Sequence, residues 1–72
     1  MYQELTTEQV YRSVLAAYDS VVIINDLKYK DNKTKEEEDV LYRNEEHIRI
    51  MMSKDWFVQA LTDDQLKELQ AI

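Results

Sequence analysis

Three observations on this sequence predict an all-α fold: an antiparallel helical hairpin with a short C-terminal helix folded against it. Glycine and proline are both absent from the 72 residues, which removes the usual residues of tight hairpins, phosphate-cradling loops and polyproline segments. Apolar residues recur at spacings of three and four, the signature of a helix face. The phrase Leu5-Thr6-Thr7-Glu8-Gln9-Val10 returns near the other end as Leu61-Thr62-Asp63-Asp64-Gln65-Leu66. Each copy is a helix start, with Thr at the N-cap, Gln three positions on to complete a capping box, and Leu before the cap to staple onto Val10 or Leu66.

The first helix is predicted from Thr7 to about Tyr29, roughly 34 Å long. Val10, Val14, Ala17, Val21 and Ile24 form one stripe along it. Tyr11, Leu15, Tyr18 and Val22 repeat the spacing one position over, so the apolar surface is broader than a single partner helix covers. Val21 to Ile24 is the one stretch that resembles a strand, but it lies in phase with the helical stripe and is read as helix. Lys28 to Lys35 is a polar, basic break, followed at once by Glu36-Glu37-Glu38-Asp39. Cations at one helix end and carboxylates at the next start both suit the helix dipoles, so this charge run is a solvated, capped turn.

A capping box at Thr34-Lys35-Glu36-Glu37, without the staple, starts a second helix, predicted over 35–53. Val40, Leu41, Ile48, Met51 and Met52 share one side of it, with Asn44 in their midst. Folding the two helices back to back around Asn32 brings Ile24 near Val40 and Leu41, Ala17 near Ile48, and Val14 near Met51. Asn44 then lies opposite Val21 with the Tyr18 hydroxyl as its hydrogen-bond partner. Four acid-first i,i+4 pairs accompany these helices: Glu8 with Arg12, Asp39 with Arg43, Glu45 with Arg49, and Asp63 with Lys67. Near Ser53 the phase changes, because Phe57 leaves the stripe that holds Leu41 and Ile48. A kinked or short helical segment over 54–60, capped by Ser53 or Asp55, is predicted there. The last helix, over 63–71, presents Leu66, Leu69 and Ile72.

The whole chain, 1–72, is expected to form one small domain whose lone core is marginal. Cysteine is absent, so disulfides cannot supply the difference, and assembly into a homo-oligomeric bundle is the natural source. Ile23 and Ile50 fall opposite the main stripes of their helices. Together with Tyr11, Leu15, Tyr18, Val22 and Phe57 they make up the candidate interface.

Functional chemistry is mostly excluded. The net charge of −6 argues against direct nucleic-acid binding. No apolar run suits a bilayer or a signal peptide. The single histidine, His47, cannot build the usual zinc or di-metal site and is expected to flank the core or lie at the surface. Ser13, Ser20 and Ser53 have only that distant histidine among them, and the carboxylate pair Asp63-Asp64 is explained by capping. No catalytic, cofactor-binding or metal residues are therefore expected, and no cofactor.

The stretch Arg43-Asn44-Glu45-Glu46-His47-Ile48-Arg49-Ile50-Met51-Met52-Ser53-Lys54-Asp55-Trp56-Phe57, with the Leu61-Thr62 restart, resembles a segment of small uncharacterised proteins encoded by tailed bacteriophages. That motif carries no assigned chemistry. The resemblance implies a phage origin, and with it action in the cytoplasm of a bacterial host or in the virion. The function expected is a non-enzymatic helical interaction module, an accessory or structural protein that binds itself or another protein. The alternative is a small acidic inhibitor of a basic site on a host protein, a nucleic-acid mimic or antitoxin-like binder.

Overall fold

A computed structural model describes residues 5–72. Among them the chain forms four helices and no strand: α1 (Thr7–Lys28), α2 (Lys35–Met52), α3 (Asp55–Gln59) and α4 (Asp63–Gln70). The short helical segment expected over 54–60 forms as a separate single turn, α3, so the three-helix arrangement becomes one of four helices. α1 ends at Lys28, one residue short of the predicted end, with Tyr29 as its C-cap.

The three longer helices begin alike. Thr6, Thr34 and Thr62 each accept a hydrogen bond from the backbone N–H three residues on, and the side chains of Gln9, Glu37 and Gln65 accept from the cap residues' own N–H groups. Each box satisfies donors that a helix start otherwise leaves open. Replacing Thr62 by alanine is expected to cost about 0.5–2 kcal/mol, read as a lower urea midpoint at unchanged slope. α3 departs from this pattern. Its N-cap is Lys54, which makes no side-chain cap bond. Neither Ser53 nor Asp55 caps it, because the Ser53 hydroxyl instead donates to the Ile50 carbonyl at 2.6 Å and closes the end of α2.

Between α1 and α2 the chain reverses through Asn32, at φ 55° the sole positive-φ residue among those described. Asparagine is the usual non-glycine residue for this left-handed conformation. The turn is tied across its mouth by an ion pair from Lys30 to Glu37, the residue that also completes the α2 capping box. The Lys30 ammonium and, after it, the Thr34 N–H hold the Glu37 carboxyl below its ordinary range. A depressed carboxyl favours the fold above the unfolded pKa, so this contribution is present at neutral pH and fades as acid protonates Glu37.

The hairpin, α3 and α4 together enclose a small core of Ala17, Val21, Ile24, Ile48, Phe57 and Leu69. Val14, Leu41 and Met51 pack against it as the back-to-back register requires. Val40 does not: it is 42% exposed, on the flank of α2. Asn44 also departs from expectation. Its Nδ2 donates to the Val40 carbonyl at 2.8 Å, one turn back in the same helix, the local bond that short polar side chains find most cheaply. The Tyr18 hydroxyl donates instead to Glu68 of α4, at 3.1 Å. Burial and the Glu68 carboxylate both raise the Tyr18 pKa.

Candidate functional site

The most prominent unpartnered surface is the outer face of α1. Tyr11 is 63% exposed, Leu15 48% and Val22 60%. Their spacing of four and seven sets them in a line along the helix. Tyr18 belongs to the same line but is half-buried, since its ring leans toward α4 and its hydroxyl is held by Glu68. Ile23 and Ile50, on the far sides of their helices, are exposed as their phase requires.

Phe57 does not belong to this surface. It is fully buried, with its ring edge-on to Trp56 at 6.1 Å between centroids. The break after Met52 turns the chain so that α3 inserts Phe57 into the core, where burying a phenyl ring stabilises more than displaying it. The candidate interface is therefore corrected to exclude Phe57.

One pairing of chemically interesting side chains was not expected from sequence spacing. Ser20 Oγ lies 2.8 Å from His47 Nδ1 across the α1–α2 contact. Ser20 is the one buried polar residue among those described, so its hydroxyl must find a partner within the protein. The hairpin register that places Ala17 near Ile48 sets Ser20 within a turn of His47, and that was the available signal. The Ser20 hydroxyl lies between two helices, within α1 where backbone N–H groups are committed to the helix. Its evident contribution is to fix the lateral register of the hairpin. Replacing Ser20 by alanine removes this bond from a partly buried His47 and is expected to cost about 0.5–1.5 kcal/mol. The double variant Ser20→Ala/His47→Leu is expected to recover most of that loss, which a double-mutant cycle in urea measures.

Electrostatics at the surface are sparse. Arg12 pairs with Glu8 at 2.7 Å, and Arg49 pairs with Glu46. Arg49 thus chooses the acid three residues back rather than the expected Glu45, and among the described residues the pairs Asp39–Arg43 and Asp63–Lys67 are not formed. Among the same residues no group of three or more candidate ligands gathers around a metal position, and no helix is long and apolar enough to cross a membrane.

In comparisons with known proteins, no family model, curated protein or solved structure matches the chain.

Proposed function

We propose that this chain is a non-enzymatic helical protein–protein interaction module, an accessory or structural protein of a tailed phage, and that it binds through the outer face of α1. The observation that carries this reading is the line of Tyr11, Leu15 and Val22, large apolar side chains left in solvent by a domain that, among the described residues, buries six apolar residues in its core. A line of exposed large apolar side chains of this kind suits a partner contact. The resemblance of Arg43 to Phe57 to phage-encoded segments supports the biological setting. The occupant of the face is a second copy or another protein.

Leu15→Glu tests the reading. Association, followed by light scattering for self-assembly and by capture from the bacterial host for a foreign partner, is expected to be lost. Stability should stay within about 0.5 kcal/mol of the parent, because the position lies outside the core. Unchanged association would refute the assignment of this face.

The acidic-inhibitor reading draws on a different observation. Asp39, Glu45 and Asp63 have no ion-pair partner among the described residues, although the sequence places a cation four positions after each. Salt separates the two readings. A mimic of nucleic acid loses affinity steeply as ionic strength rises, whereas an apolar contact through α1 is nearly indifferent to it.

A further inference from the structure

An open groove of about 590 Å³ runs between α2 and α4, and no residue of α1 lines it. Its apolar lining is Ile48, Met52, Leu69 and Ile72. The α2 wall extends from Tyr42 to Ser53, which is about 16 Å or three helical turns. Two charged positions on that wall are already accounted for, since Arg49 and Glu46 pair with each other. Glu45 is different. It lines the groove and is half-buried, and among the described residues it takes part in no ion pair or side-chain hydrogen bond.

We propose that this groove binds a basic amphipathic helix of a partner protein, with aliphatic side chains seated over Met52 and Ile72 and a lysine or arginine paired with Glu45. Resting on the reading of the chain as an interaction module, the proposal names a second contact and the chemistry of what fills it. Shape and length suit a helix laid in an apolar groove. Charge then selects among helices. Any segment that covers the groove removes water from Glu45 and Glu46, and because Arg49 is the one cation on this wall and can pair with only one of them well, a neutral or acidic segment leaves a carboxylate short of a donor, a substantial penalty. A cationic side chain removes the penalty. The chain's net charge of −6 also draws basic partners toward it.

The test uses the full chain with labelled methyl groups and two synthetic helical peptides of leucine and lysine, or leucine and glutamate, in the same amphipathic order. The leucine–lysine peptide is expected to shift the methyl signals of Ile48, Met52, Leu69 and Ile72, and the leucine–glutamate peptide to leave them unmoved. Glu45→Gln is expected to weaken the lysine peptide about fivefold, the size of one partly exposed ion pair. Glu36→Gln, which removes an equal charge from the exposed first turn of α2, should weaken it less than about twofold through long-range attraction alone. Shifts confined to Leu15 and Val22 would overturn the groove assignment while leaving the α1 reading standing. Equal weakening by the two glutamine variants, equal response to both peptides, or no shift at either face would also overturn it, and the α1 reading then keeps its own test at Leu15.

Discussion

Phe57→Ala is expected to leave the chain unfolded or nearly so at room temperature. The side chain is fully buried at the centre of the core, and truncating a phenyl ring in such a place costs about 3–5 kcal/mol through lost burial and the cavity left behind. A single core in a domain of this size supplies about the same amount in total. The edge contact with Trp56 is lost as well, and α3, lacking a side-chain cap, has little else to hold its one turn in place. Far-UV circular dichroism against urea measures the loss, with Trp56 fluorescence as an independent probe of the same region. Phe57→Leu, which keeps the site apolar and most of its volume, is expected to fold. A cooperative Phe57→Ala variant within about 1 kcal/mol of the parent would show that the core does not depend on α3.

Ile24→Ala is the second large effect, at about 2–5 kcal/mol, with Ile24→Val at about 0.5–1.5 kcal/mol. Ile24 has no exposed surface, whereas Val22, two residues away on the same helix, is 60% exposed. Val22→Ala should therefore change stability by no more than about 0.5 kcal/mol. Measured together by urea denaturation, the two alanine variants decide whether the core stripe and the outer face of α1 are energetically distinct. A large loss at Val22 would mean that this face is already packed in the folded protein.

Features that depend on neighbours in sequence were legible before the structure. The capping boxes at Thr6, Thr34 and Thr62 are complete within four residues each, so no distant packing is needed to specify them. The hairpin followed from helical periodicity and from a polar break that contains Asn32. Phe57 was half legible: its change of phase marked the break near Ser53, but a one-turn interruption resets the direction of every later side chain, and sequence period carries no information across it. Tyr18 with Glu68 is separated by 50 positions and Ser20 with His47 by 27. Such pairs are decided by how helices cross, which local spacing does not encode. Arg49 illustrates a third kind of ambiguity. Carboxylates three and four residues back are nearly equivalent on an exposed helix, each worth about 0.2–0.5 kcal/mol, so small packing differences select Glu46.

Of the candidate interface, the exposure of Tyr11, Leu15, Val22, Ile23 and Ile50 could be read from helical phase alone. The groove beside α4 could not. It exists because a short helix, anchored chiefly by Leu69, crosses the hairpin without filling the space beside α2, and sequence gives no measure of such a mismatch.

The repeated capping box has a kinetic consequence. Each of the three longer helices carries its own start signal within its first turn, which lowers the cost of the step that otherwise limits helix formation. Nascent turns can therefore appear at Thr6, Thr34 and Thr62 independently, before the hairpin closes, and the remaining search brings together segments that are near in sequence. Chains rich in local contacts fold in about microseconds to milliseconds. With no proline in the sequence, there is no slow isomerisation phase to follow. Refolding from urea should thus be complete in a single fast phase, and a chain that refolds so quickly spends little time with its apolar faces open to the wrong partner.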